Sequence, residues 1–84
     1  MAPELDIDLH IGRQLRRRRR ALGVSQDALA EAIGVGFQQV QKYEVGINRL
    51  SAARLWQVAA ALEVSPNYFF EGFNEALLNA GETG

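Results

Sequence analysis

Apolar residues recur along this chain at helical spacing and nowhere alternate with polar ones over a useful length, which predicts an all-α fold. A first helix is expected from a cap at Asp8 to about Leu22, with Gly23 ending it. Ile11, Leu15 and Leu22 fall within roughly 40° of one another on that helix and form its expected buried stripe. Ser25 caps a second helix with Asp27 in its first turn, Leu29, Ala30 and Ile33 inward, and Gly34 as its stop. A third is expected from Phe37 to Val45 with Phe37, Val40 and Tyr43 buried or partly buried, ending at Gly46. Ser51 caps a fourth that reaches Leu62 and buries Leu55, Val58, Ala59 and Leu62. Ser65-Pro66 opens a short fifth carrying Tyr68, Phe69 and Phe70, closed by Gly72. A last segment places Phe73, Ala76, Leu77 and Ala80 on one face. The expected organisation is a loose arm over 1–7, one helical domain over 8–72, and a C-terminal segment over 73–84.

With 84 residues the chain fits one domain, and at that size nearly every apolar face must find a partner. The 48% apolar content suffices for a core, but no run approaches the ~20 residues of a membrane span. MAPELDIDLH has neither a basic start nor an apolar stretch, so a cytoplasmic protein is expected. Without cysteine there is neither a disulfide framework nor a thiolate metal site, and packing alone must supply stability. A net charge of -1 looks wrong for a partner of nucleic acid, but the average hides an asymmetry. Residues 9–56 hold all nine Lys and Arg and only three acids, between acidic ends. Such a field steers a polyanion by its direction rather than its total. The bland reading of the Arg16–Arg20 run is a solvated helix, since five adjacent residues point all round it.

The second and third helices are joined by the tight connection Gly34-Val35-Gly36, which forces a large angle between them. The third then projects from the surface with Gln38, Gln39, Gln41 and Lys42 outward. An amide that donates and accepts at once matches the N6 and N7 edge of adenine in the major groove, and lysine offers donors to guanine or phosphate. In order and spacing, GVSQDALAEAIGV and VQKYEVGINRLSAARLWQVAAALEVS resemble the phage-repressor and Cro-like helix-turn-helix family, often called the XRE family. The resemblance covers about residues 11–71 and implies a five-helix, lambda-repressor-like bundle that binds double-stranded DNA without a cofactor. It implies base contacts from Gln38, Gln39 and Lys42. Phosphate contacts would come from Gln26, at a helix N-terminus, and from Gly46–Ser51, through backbone N–H groups and the side chains of Asn48 and Arg49. Periodicity places Arg18 and Arg19 equally far from the buried stripe; the resemblance selects Arg19 as the partner of Glu44.

The chain departs from the family pattern at Gly36, a cap without a side-chain acceptor, at Arg18, and at Phe37. Phe37 either touches a thymine methyl or packs inward, and inward packing is the favoured expectation. Arg13 is a further candidate for the DNA backbone, Arg54 is expected to be solvated and Trp56 to pack. His10 has no neighbour in sequence with which to bind a metal or catalyse. The face of Phe73, Ala76, Leu77 and Ala80 either folds on its own domain or pairs with a second copy, and a homodimer is favoured because its symmetry suits a palindromic site. The expected function is a transcriptional regulator, in particular a repressor. The alternative is an antitoxin that grips a partner protein with its acidic C-terminal segment. With no cysteine, no phosphate loop and no carboxylate pair placed to share a pocket, an enzyme is not expected.

Overall fold

The computed structural model describes residues 6–73, and among these all regular structure is helical. Helices α1 (Ile7–Ala21), α2 (Gln26–Ile33), α3 (Phe37–Glu44) and α4 (Ala52–Ala61) are followed by the expected short fifth helix, a 3-10 helix over Pro66–Phe70. The face expected for Phe73, Ala76, Leu77 and Ala80 lies, apart from Phe73, outside the described residues.

Side-chain caps set three of the four α-helix starts, and for α1 the cap differs from expectation. Asp6, not Asp8, accepts from the Leu9 N–H at 3.0 Å, so α1 starts earlier and Ile7 packs against the core instead of belonging to an arm. Asp8 sits in the first turn, where its charge suits the helix dipole. Ser25 Oγ accepts from the Ala28 N–H at 3.0 Å and Ser51 Oγ from the Arg54 N–H at 3.1 Å. Gly36 caps α3 without a side-chain bond.

The core joins every helix: Leu15, Leu29, Val40, Val58, Leu62 and Phe69 are almost fully enclosed. Burying each such side chain contributes ~1.5–3 kcal/mol, a large return for so short a chain. Leu22 departs from the expected stripe and is 36% exposed. The enclosed face of α1 is Ile11, Gly12, Leu15 and Arg19, turned toward the end of α3 that crosses it, and Leu22 lies past the last turn. Gly12 makes that crossing possible: a Cβ there would overlap the Tyr43 carbonyl oxygen and stand 2.6 Å from that of Glu44.

Two further expectations fail for want of cover. Phe37, in the first turn of α3, is 43% exposed, and Trp56 is 68% exposed beside the inner face of α4. Arg54 is not merely solvated; it donates to the Ile33 carbonyl at the end of α2 and to Gln57 Oε1. Arg18 likewise donates to the Leu62 carbonyl at 2.9 Å, satisfying an orphan group at the end of α4. His10 Nε2 and the Gln14 amide donate to the Glu71 carbonyl, and Gln14 also to that of Tyr68, which ties α1 to the 3-10 helix.

Candidate nucleic-acid interface

The turn between α2 and α3 is built by backbone bonds. The Val35 N–H donates to the Ala30 carbonyl at 3.0 Å and the Gly34 N–H to that of Glu31, with Gly34 in the left-handed region at φ 76°. This closure ends α2 and sends α3 off at an angle, a reversal for which glycine costs least.

Beneath α3 lies a buried polar network. Arg19 Nε donates to Glu44 Oε2 at 2.6 Å and Nη2 to Oε1 at 3.1 Å, a two-pronged ion pair with side chains 10% and 4% exposed. Arg19 Nη1 donates to the Val24 carbonyl at 2.9 Å, and the Gln26 amide donates to Glu44 Oε1 at 3.0 Å. Gln41 in turn donates to Gln26 Oε1 at 3.3 Å. The network binds the end of α1, the start of α2 and the end of α3, and the matched forks fix α3 in rotation as well as position.

Above this base, Gln38, Gln41 and Lys42 are exposed, whereas Gln39 is half-buried. Gln38, Gln41 and Lys42 line an open groove of about 400 Å³ together with Val45 and Ile47, two exposed apolar residues that the sequence pattern did not single out. Gln26 keeps one amide N–H beyond its bond to Glu44. Arg13 is exposed on α1.

The loop after α3 differs from expectation in its donors. The N–H groups of Gly46, Ile47 and Asn48 donate to the Tyr43 and Lys42 carbonyls, closing the end of α3, so they are not open to phosphate. The N–H groups of Arg49, Leu50 and Ser51 donate to no backbone carbonyl among the described residues, and the loop also offers the side chains of Asn48 and Arg49. Arg49, with a side chain 78% exposed, directs Nε at both Asp8 oxygens at 3.2 Å. Surface pairs of this kind contribute ~0–1 kcal/mol, so the guanidinium is readily exchanged to another anion. Gly46, at φ 78°, lets the loop pass close to Leu9, where a Cβ would lie 2.9 Å from the Leu9 Cα.

Among the described residues no group of His, Cys, Asp and Glu is placed to hold a metal ion, and no helix is long and apolar enough to cross a membrane. Sequence reasoning missed Gly12, the roles of Arg18 and Arg54, and the Gln26–Gln41 bond. Each depends on the atom that a distant segment brings near.

The helix-turn-helix family model HTH_3 matches residues 15–69. An HTH-type transcriptional regulator of Sinorhizobium fredii, y4aM, is 54% identical over 76 residues, covering 90% of this chain and 53% of that protein. The chain thus spans about half the length of the curated relatives it matches. Among solved structures, the clp gene regulator ClgR from Corynebacterium glutamicum superimposes with a TM-score of 0.81 at 29% identity, over 96% of this chain and 87% of that one. The P22 c2 repressor, solved in complex with a synthetic operator, has a TM-score of 0.68 at 29% identity, over 74% of this chain and 94% of its own.

Proposed function

Since the chain belongs to the XRE-type helix-turn-helix family of DNA-binding transcriptional regulators, and not to a family of enzymes, we propose that α3 enters the major groove of an operator and that the protein acts as a repressor. Gln38, Gln39 and Lys42 read base edges, with glutamine suited to adenine and lysine to guanine. Gln26, Asn48, Arg49 and Arg13 hold the flanking phosphates and set the register, carrying affinity but little sequence information. A homodimer presents two α3 helices about one turn of DNA apart, ~34–36 Å, to an inverted repeat. Binding so placed represses by occupying a site that transcription requires.

One observation carries this reading: α3, with Gln38 and Lys42 exposed and Gln39 half-buried, stands on a buried Arg19–Glu44 pair that Gln26 joins from α2. A helix held this way meets a groove without first being ordered, which lowers the cost of binding. The similarity to the P22 c2 repressor, itself solved in complex with a synthetic operator, supports operator DNA as the partner. Selecting sites from random duplex DNA at two salt concentrations tests it. One enriched inverted repeat, bound less tightly as salt rises, is the expected result. Failure to enrich any sequence at low salt would refute it.

A further inference from the structure

The eight arginines divide evenly. Arg18, Arg19, Arg49 and Arg54 each donate to an oxygen of the protein. Arg13, Arg16, Arg17 and Arg20 make no side-chain hydrogen bond or ion pair among the described residues; all four are exposed and border a shallow depression of about 430 Å³. Their spacing of i, i+3, i+4 and i+7 puts them on one face of α1.

We propose that this face is a second anion-binding surface, which takes the sugar-phosphate backbone of duplex DNA beyond the base pairs that α3 reads. The proposal rests on the reading of α3 as the groove-entering helix. Like charges at i, i+3 and i+4 repel, and no carboxylate occupies a neighbouring i±3 or i±4 position on this face. The helix dipole compensates only at the last turn, where Arg20 lies. A face needed only for solubility would mix signs, whereas this one is relieved when a polyanion arrives.

Duplex DNA suits it better than an acidic protein for reasons of placement and chemistry. Helix α1 is fixed to α3 by the Gly12 crossing and the Arg19–Glu44 pair. A duplex held by α3 therefore passes α1 at a set distance. The face is about 10 Å long at ~1.5 Å per residue. Duplex DNA offers one charge per ~1.7 Å of axis, so several phosphates fall within that span. The guanidinium fork also matches two phosphate oxygens at once.

The test compares the full chain with Arg16→Gln/Arg17→Gln and Arg16→Lys/Arg17→Lys on a long random-sequence duplex, with thermal unfolding confirming that each variant folds. The slope of log K against log salt should fall by ~0.9 for each phosphate that the glutamine variant no longer neutralises, and stay near the parent's in the lysine variant. On a selected site trimmed to the bases α3 covers, parent and glutamine variant should converge. A glutamine variant with the parent's slope on the long duplex would overturn the proposal. The same unchanged slope together with lost binding to poly-glutamate would assign the face to an acidic protein instead. If only this proposal is wrong, the parent still prefers its selected site; if α3 does not read bases, the parent prefers none.

Discussion

Replacing Glu44 with alanine tests the network beneath α3. The Arg19 guanidinium would be left in a site where its side chain is 10% exposed, with the Val24 carbonyl as its one remaining acceptor. Gln26 would lose the oxygen that its amide now meets at 3.0 Å. Breaking a buried pair by removing one partner costs ~3–5 kcal/mol, because the remaining charge keeps its desolvation penalty. A domain of this size has about 5–15 kcal/mol in all. With ~4–8 °C per kcal/mol for 60–100 residues, the melting temperature should drop by at least ~12 °C. Arg19→Met should cost a similar amount. The double variant Arg19→Met/Glu44→Leu, which removes both charges and keeps apolar volume, should recover most of the loss. Urea unfolding of the parent, Arg19→Met, Glu44→Leu and the double variant gives the coupling directly. Single losses under ~1 kcal/mol, or losses that simply add in the double variant, would refute the claim that the pair acts as one buried unit.

Two other positions make sharp predictions. Gly12→Ala would drive a methyl group into the backbone carbonyls of Tyr43 and Glu44, neither of which can turn aside. Chemical denaturation should show a loss of at least ~1–3 kcal/mol, and a neutral result would mean that α1 and α3 are further apart. Glu63 closes α4 at φ 57°, the sole non-glycine with positive φ among the described residues, with the Val64 N–H donating back to the Ala59 carbonyl. Glu63→Gly should raise stability by about 0.5–1 kcal/mol, the relieved strain exceeding the added freedom of the unfolded chain, and a fall in melting temperature would contradict this.

The parts of the fold legible in sequence were those governed by neighbours along the chain. Ser25, Ser51 and Ser65 cap where their spacing predicts, since a cap needs only an oxygen two or three residues before an open N–H. The same local rule could not separate Asp6 from Asp8, because both acids stand shortly before the apolar stripe that begins at Ile11. Leu22 and Phe37 read as inward by period, yet helix ends outrun the neighbours that would cover them. Trp56 shows the converse limit: size and apolarity favour packing, but it lies beside the enclosed face of α4 and stays 68% exposed. The site was legible in its residue types, but of its bonds only the Arg19–Glu44 pair was expected, and that from the resemblance. Periodicity could not choose between Arg18 and Arg19, which proved to serve different acceptors 44 and 25 residues away. The loop N–H groups of Gly46–Ser51 were expected to face a ligand, and the end of α3 claims the first three of them because its last carbonyls lack partners.

Base reading by α3 is tested most directly by measuring Gln38→Ala and Arg49→Ala against the selected duplex, its single-base-pair variants and random DNA across a salt series. Gln38→Ala should lose ~1–3 kcal/mol of discrimination at one base pair and keep the parent's salt slope. Arg49→Ala should weaken every sequence alike and lower the slope by ~0.9. Equal losses on selected and random DNA for Gln38→Ala would contradict the account, since a side chain in the groove must distinguish one base pair from another.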